Sequence, residues 1–256
     1  MLKRLRLTKL HFINLVLLLL TSCAAPSTQI IPTETASPIP TEKPTNTVVP
    51  TATGIPGFED WSVFNPQAVD SSTENGSLIL TLKRRALWFM QERGVLVCKS
   101  VDGDFRITAD VHTAKISDPA QPPGGDGTVQ LGGLMARNSQ GGLENCVFIV
   151  VGDDGNGLSA ETKNTVDSLS KYDSPGWDAA EAELRICRVG AMLNLYKRHV
   201  DSNGPWILAA SFERSDLPAT LQVGVNIYSD SSPDLKIRYD NIKLETVSSP
   251  SDCETD

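Results

Sequence analysis

The feature that most constrains this chain is a series of short runs in which apolar and polar residues alternate. A period of two indicates strands, because successive side chains of a strand point to opposite faces. The runs occupy residues 77–83, 95–99, 104–115, 128–138, 145–152, 158–165, 183–189, 192–198, 206–212, 220–228 and 235–247. Gly, Asn, Asp, Ser and Pro separate them at hairpin length, and no stretch has a helical period. Residues 56–247 therefore predict an all-β, two-sheet antiparallel sandwich.

The N-terminus is typical of an exported protein. Its first nine residues hold four basic and no acidic side chains, and an apolar run follows at 12–20, broken only by Asn14. This run is too short to span a bilayer, which takes about 20 apolar residues. It leads into Leu-Thr-Ser-Cys at 20–23, which resembles the lipobox of bacterial lipoproteins. In that family the signal is cut before the cysteine, whose thiol receives a diacylglycerol.

We therefore expect a signal peptide at 1–22, lipidation of Cys23, and an extracytoplasmic protein lipid-anchored to the bacterial cell membrane. The alternative is an ordinary cleaved signal with an incidental cysteine. Residues 26–54 are rich in Pro and Thr and hold no aromatic residue. Such a segment buries too little apolar surface to offset its ordering entropy. We expect a disordered stalk at 23–55, one globular domain at 56–247, and a polar tail at 248–256.

The charge of the chain restricts its partners. Cleavage of the signal would remove four basic residues and no acid, so the formal net charge would fall from −8 to −12. An acidic protein of this kind is a poor match for nucleic acid or for electrostatic docking to anionic lipid. The membrane is therefore expected to be a partner through the N-terminal lipid only.

The cysteines allow a disulfide, because an exported chain folds in an oxidising compartment. After Cys23 the chain holds Cys98, Cys146, Cys187 and Cys253, which allow three pairings and match no CxxC metal pattern. They are interpreted as buried thiols or as one structural bridge. Cys253 lies in the polar tail, so it is expected to be the least structural of the four.

Alternation also separates the faces of the predicted strands. At 220–228 the odd positions are apolar, whereas most of the even positions are polar. An antiparallel sheet with one solvated face has this pattern. The sharper interpretation is that several polar sides join into one surface that contacts sugar hydroxyls. The candidate carbohydrate-binding residues are Arg137, Glu161, Lys163, Arg185, Tyr196, Asn226 and Tyr228.

An ordered set of motifs runs through residues 58–247. The motifs lie at 58–61 (Phe-Glu-Asp-Trp), 101–105 (Val-Asp-Gly-Asp-Phe), 132–137 (Gly-Gly-Leu-Met-Ala-Arg), 145–152, 161–163 (Glu-Thr-Lys), 185–190 (Arg-Ile-Cys-Arg-Val-Gly) and 216–224 (Asp-Leu-Pro-Ala-Thr-Leu-Gln-Val-Gly). This set resembles the concanavalin A-like jelly-roll family of unknown function typified by a fungal regulator of enolase, and the similar C-terminal domains of bacterial β-xylosidases. The resemblance implies a jelly-roll sandwich of the lectin/glucanase type, usually associated with carbohydrate. It supplies no catalytic residues.

The residues themselves also predict no catalytic site. The Glu-x-Asp-x-Glu spacing used by glucanases of this fold is absent, and the pair Glu181 and Glu183 is better explained as a solvated face. His112 and His199 belong to no triad or zinc pattern. A structural calcium would take oxygen ligands from Glu59, Asp60 and Asp240, which would lie on the first and last strands. No other cofactor is expected.

Trp88 and Trp177 are expected in loops, and Trp61 and Trp206 in the core. An exposed loop tryptophan would offer a ring for sugar stacking, although packing against the loop is the commoner role. The sequence as a whole predicts a cell-surface lipoprotein that displays a non-catalytic carbohydrate-binding or surface-interaction sandwich. The alternatives are a glycan-active hydrolase with an unrecognised acidic pair and a protein–protein adhesion domain.

Overall fold

The structure is a computed structural model that describes residues 50–202, 204–231 and 233–255. The predicted signal peptide, the predicted lipidation site at Cys23 and most of the predicted stalk lie outside the described residues. Within the described part of the chain, no helix is long and apolar enough to cross a membrane.

Two antiparallel sheets account for nearly all of the regular structure. The strands are β1 (Thr51–Ala52), β2 (Ser62–Phe64), β3 (Val69–Glu74), β4 (Ser77–Leu82), β5 (Val95–Asp102), β6 (Phe105–Ala114), β7 (Val129–Arg137), β8 (Cys146–Asp154), β9 (Leu158–Val166), β10 (Leu169–Asp173), β11 (Glu181–Val189), β12 (Met192–Arg198), β13 (Ile207–Glu213), β14 (Thr220–Ser229) and β15 (Lys236–Thr246). Short 3-10 helices occupy Pro66–Ala68 and Pro250–Cys253. The eight-stranded sheet has the order β1-β2-β5-β14-β7-β8-β9-β10, and the seven-stranded sheet has the order β13-β12-β11-β6-β15-β4-β3. The predicted two-sheet sandwich is confirmed.

The hydrophobic core lies between the two sheets. The apolar residues of β14 point inward, so Val223 and Val225 are fully buried, as are Leu184 and Ile186 on β11. These side chains alternate with residues on the outer faces, as the period of two predicts. Trp61 is also buried in this core, as expected.

The outer face of the eight-stranded sheet is covered, whereas the sequence predicted a solvated or ligand-facing surface. We call residues 84–94, which join β4 to β5, the covering segment. Its Trp88 is only 2% exposed and stacks on Phe64, while its indole Nε1 donates to the carbonyl of Val95 at 3.2 Å. Trp88 therefore belongs to a second apolar cluster, on the outer face, with Met135 and Phe148. It is not an exposed stacking platform.

The C-terminal residues pack on the outer face of the seven-stranded sheet. Cys253 forms a disulfide with Cys187 of β11, so the expectation that Cys253 would be the least structural cysteine is wrong. The 3-10 helix at Pro250–Cys253 brings the sulfur of Cys253 to the sheet.

Cys98 and Cys146 are free and buried. Burial raises the pKa of Cys98 to about 12 and that of Cys146 to about 11. Both therefore stay protonated at neutral pH.

Candidate functional site

The carbohydrate-binding candidates fall on two different surfaces. Arg185 of β11 and Tyr196 of β12 are cross-strand partners in the seven-stranded sheet. The other five lie on the outer face of the eight-stranded sheet, namely Arg137, Glu161, Lys163, Asn226 and Tyr228. The outer faces of a two-sheet sandwich point in opposite directions. The seven residues therefore do not form one site, and the expectation of a single shared surface is wrong.

Arg185 and Tyr196 hold the C-terminal residues. The Arg185 guanidinium donates to the carbonyl of Cys253 at 2.8 Å and lies 3.9 Å from the centre of the Trp206 ring. Arg185 is 2% exposed and Tyr196 is 4% exposed. Trp206 was expected in the core, but it lies half-buried on this outer face. These contacts attach residues 253–255 to the sheet.

Arg137 and Asn226 are both buried on the outer face of the eight-stranded sheet, and Arg137 lies beneath the covering segment. The guanidinium of Arg137 makes two hydrogen bonds to Glu144, of 2.7 and 2.9 Å, and one of 2.8 Å to Gln222. It also lies 4.6 Å from the centre of the Phe64 ring. Asn226 is fully buried, and neither its amide nitrogen nor its oxygen has a hydrogen-bond partner among the described residues. Arg137 is only 4% exposed, so neither residue offers a ligand an accessible surface in this structure.

The remaining three candidates form one buried polar network. The hydroxyl of Tyr228 donates to Oε1 of Glu161 at 2.9 Å, and Lys163 Nζ lies 3.1 Å from the same oxygen. Lys163 also donates to the carbonyl of Trp88 at 3.1 Å. Burial, together with the Glu161 carboxylate, raises the pKa of Tyr228 well above its ordinary value. Tyr228 therefore remains a neutral hydrogen-bond donor.

Aromatic rings surround the Lys163 ammonium group. Its Nζ lies 4.9 Å from the centre of the Phe148 ring and 5.4 Å from the centres of Phe89, Tyr172 and Tyr228. Each ring offers its electron-rich face to the cation, a favourable interaction at these distances. The side chain of Lys163 is thereby fixed in one place, and it fixes the Glu161 carboxylate with it.

This network opens to the surface through a cavity of about 170 Å³. Phe89 of the covering segment and Tyr172 of β10 line it, as a T-shaped pair with ring centres 6.4 Å apart. Phe89 is 37% exposed and Tyr172 is 60% exposed. Exposed aromatic rings beside buried hydrogen-bonding groups are the combination that sugars require, since one face of a sugar ring is apolar and its hydroxyls are polar.

Several cavity residues were not predicted from the sequence. Asp154 ends β8, Asn156 lies in the β8–β9 turn, and Asp230 directly follows β14. The sequence predicted no site residue in the β8–β9 turn, and it did not predict β10, which carries Tyr172. The feature that places Tyr172 in the site is its pairing with Lys163 in the β9–β10 hairpin. Such a pairing between two strands is not visible in the pattern of either strand alone.

A second, polar groove crosses the outer face of the seven-stranded sheet. Its volume is about 600 Å³, and its lining includes Asp110, His112, Arg238 and Asp240. His112 bridges two carboxylates, with Nδ1 at 2.7 Å from Glu181 and Nε2 at 3.2 Å from Asp240. Burial raises the pKa of Asp110, against the opposing effect of a hydrogen bond from an asparagine amide. The groove offers ionic and amide groups but few exposed rings.

The predicted calcium ligands are not brought together. Glu59 accepts a hydrogen bond from the backbone of Gly57 at 2.9 Å, and Asp60 lies 2.5 Å from Lys99 Nζ. Asp240 is held by arginine and histidine side chains on the other sheet. Among residues 50–202, 204–231 and 233–255, no group of three or more His, Cys, Asp or Glu side chains could hold a metal ion. Glu59, Asp60 and Asp240 therefore do not fit a calcium site.

No protein-family model matches the chain. No curated protein matches it in sequence. Among solved structures, it is similar to a functionally unknown protein from Saccharomyces cerevisiae, with a TM-score of 0.57 and 14% identity over 75% of this chain and 99% of that one. It is also similar to the GH43 BlXynB protein from Bacillus licheniformis, with a TM-score of 0.54 and 11% identity over 73% of this chain.

A xylan β-1,4-xylosidase from Bacillus halodurans is similar as well, with a TM-score of 0.54 and 11% identity over 84% of this chain. The chain spans only 37% of the length of the first of these two bacterial proteins and 41% of the second. At these identities the likeness shows the fold alone. The fold is the concanavalin A-like jelly-roll sandwich of the lectin/glucanase type that the sequence predicted.

Proposed function

We propose that this protein is a lipid-anchored, extracytoplasmic glycan-binding protein, and that the glycan binds in the cavity between the covering segment, β9 and β10. The observation that carries the proposal is the position of two exposed rings, Phe89 and Tyr172, directly over the buried network of Glu161, Lys163 and Tyr228. The rings offer a stacking surface, and the network offers fixed polar groups.

The energetics favour a binding site over a flexible surface patch. Lys163 and Glu161 are each only 4% exposed, so their positions are fixed by packing before any ligand arrives. A site that is already ordered loses less entropy when it binds. The fold supports the proposal by analogy only, because the bacterial structural neighbours are glycan-active proteins and a sandwich hosts many functions.

A polysaccharide array tests the proposal directly. The probes are immobilised neutral, amino and acidic polysaccharides, and the protein is the detergent-solubilised full chain. Tyr172→Ala should weaken binding at least tenfold, because it removes the more exposed ring of the pair. Leu169→Ala is the matched control, since Leu169 lies on the same strand, is 65% exposed and does not line the cavity. It should bind as the parent does.

Three results would contradict this assignment. If no polysaccharide binds, the protein–protein adhesion alternative takes first place. If a polysaccharide binds equally well to the parent and to Tyr172→Ala, the site lies elsewhere, and the groove on the seven-stranded sheet is the next candidate. If incubation with the bound polysaccharide releases reducing sugar, the protein is a hydrolase.

A further inference from the structure

We infer that the cavity accepts a single neutral sugar ring at the end of a glycan chain, and that it rejects sugars carrying a carboxylate or a sulfate. This inference rests on the proposed function, and it specifies the class of ligand for the same cavity. Three independent features of the cavity support it: its size, its charge and its unused hydrogen-bond acceptors.

The size of the cavity limits the ligand to one ring. Its volume of about 170 Å³ is below the range of roughly 300–1,000 Å³ that holds drug-sized ligands. Its lining comes from the covering segment, the start of β7, the end of β8 and the turn that follows, β9, β10, the end of β14 and the residue after it. A linear chain lying along a sheet needs a groove that is open at both ends. A pocket lined from so many parts of the fold is instead suited to a chain end that enters ring first.

The charge of the cavity disfavours anions. Three carboxylates line it, those of Asp154, Glu161 and Asp230, and Lys163 supplies the only cation among its lining residues. The ammonium group of Lys163 is already paired with Glu161 at 3.1 Å. Like charges repel more strongly near a protein surface than in bulk water, because the effective dielectric constant is lower. A uronate or a sulfated sugar would therefore meet net negative charge and, among the residues that line the cavity, no unpaired cation. Arg85, which donates to the carbonyl of Asp230, is paired with Glu92.

The unused acceptors favour a ligand that donates hydrogen bonds. Oε1 of Glu161 accepts from Tyr228, and Oδ1 of Asp230 accepts from the backbone of Val129 at 2.9 Å. Within the described residues, the second oxygen of each carboxylate receives no hydrogen bond. Glu161 as a whole is 4% exposed, but its second oxygen is not among the fully buried unpartnered atoms, so a group in the cavity can reach it. Sugar hydroxyls can donate to these oxygens, whereas a carboxylate or a sulfate group only accepts.

Matched monosaccharide pairs test the inference. The probes are glucose with glucuronic acid, galactose with galacturonic acid, and uncharged mannose and xylose, each titrated into the full chain at low ionic strength and followed by ligand-detected NMR. At least one neutral sugar should bind. In the glucose and galactose pairs, the acid should bind at least tenfold more weakly than its neutral partner. Oligomers of the best neutral sugar should gain no more than about threefold per added unit.

Asp230→Asn tests the electrostatic cause. The asparagine keeps the oxygen that accepts from Val129 and removes one negative charge from the cavity. Both members of a pair should bind more weakly, because the amide group replaces the free acceptor oxygen with a donor. The preference for the neutral member should nevertheless fall at least threefold, because both members lose the same acceptor and only the acidic one is relieved of charge repulsion. Asp70→Asn is the control, because Asp70 has a 70% exposed side chain on the seven-stranded sheet. It should leave the preference unchanged.

Failure of the inference is distinguishable from failure of the proposed function. If no polysaccharide binds on the array, both fail together. If a polysaccharide binds through Tyr172 but no monosaccharide binds, or each added unit strengthens binding tenfold, single-ring recognition is wrong. If an acidic sugar binds as tightly as its neutral partner, or if Asp230→Asn and Asp70→Asn behave alike, charge exclusion is wrong.

Discussion

The hydroxyl of Tyr228 and Oε1 of Glu161 are joined by a 2.9 Å hydrogen bond that crosses the outer face of the eight-stranded sheet, from β14 to β9. Two intervening strands, β7 and β8, separate the backbones of these residues. The bond therefore connects distant parts of one sheet through side chains alone. It also sets the orientation of the carboxylate at the floor of the cavity.

Tyr228→Phe removes this bond while keeping the ring. We expect the free energy of unfolding to fall by about 1–2 kcal/mol, because a buried carboxylate oxygen loses a donor. Urea denaturation followed by far-ultraviolet circular dichroism measures the change. Tyr172→Phe is the matched control, and it should change stability by less than about 0.5 kcal/mol because Tyr172 is 60% exposed. Equal stability of the two variants would show that the buried bond contributes nothing.

Stability should also fall in alkaline solution. Burial raises the pKa of Cys98 to about 12 and that of Cys146 to about 11, from 9.0. It also raises the pKa of Tyr228 and Tyr239 well above 10.0. These groups stay protonated in the fold while the unfolded chain loses its protons. Their contribution to the free energy of unfolding is therefore complete below pH 9. It is lost as the pH rises from about 9 towards the pKa values of the folded state.

Chemical denaturation at a series of pH values measures this loss. The slope should approach about 1.4 kcal/mol per pH unit for each such group, with the thiols acting first and the phenols above about pH 10. Tyr228→Phe removes one of these groups, so the slope above pH 10 should be smaller by about 1.4 kcal/mol per pH unit. A stability that stays constant from pH 8 to 11 would be incompatible with four buried, protonated groups.

The disulfide between Cys187 and Cys253 should be a large contributor to stability. It joins residues 66 apart in sequence, and closing a loop of that length in the unfolded chain is worth about 4 kcal/mol. Cys253→Ser should lower the denaturation midpoint, and the double variant with Cys187→Ser should be no less stable than the single one. Reduction of the parent protein should give the same shift. A parent that is equally stable with and without reductant would refute the role of the bridge.

The proposed lipid anchor can be tested on the full chain. Cys23→Ala should move the protein from the membrane fraction to the soluble fraction or block its maturation, because the acyl chains would be its only stable anchor. The control is Cys98→Ala, which removes a buried free thiol and should leave the protein in the membrane fraction. Unchanged membrane association of Cys23→Ala would mean that another part of the chain holds it there.

Most of the fold was predictable because long strands carry a clear alternation. All eleven predicted runs are strands, and most of them pack one apolar side against the core. The strands that were missed are short or polar. β3, Val69–Glu74, buries only its first residue, and β10, Leu169–Asp173, lies at the edge of its sheet with almost no burial. Such strands are held by pairing with a neighbour, which leaves little trace in their own sequence.

The site was predictable only in part, for a similar reason. Alternation correctly placed Glu161, Lys163 and Tyr228 away from the core. It cannot tell which of two sheets a strand joins, so Arg185 was wrongly grouped with them. It also cannot reveal that a distant segment covers a face. The burial of Arg137 depends on that segment. The guanidinium carbon of Arg137 lies 5.7 Å from the centre of the Trp88 ring.

The order of strands in the eight-stranded sheet has a mechanical consequence. The described chain enters this sheet at one edge, through β1, while β9 and β10 flank the cavity at the other edge. Seven interstrand spacings of about 4.8 Å place these edges roughly 34 Å apart. If the N-terminal side is tethered and a glycan is held in the cavity, tension runs across the strands and pulls the ladders apart one after another. β1 has only two residues, paired with Val63 and Ser62 of β2. β1 would therefore separate from β2 before the other strands separate. The released residues would lengthen the tether, and the cavity at the opposite edge would keep its shape.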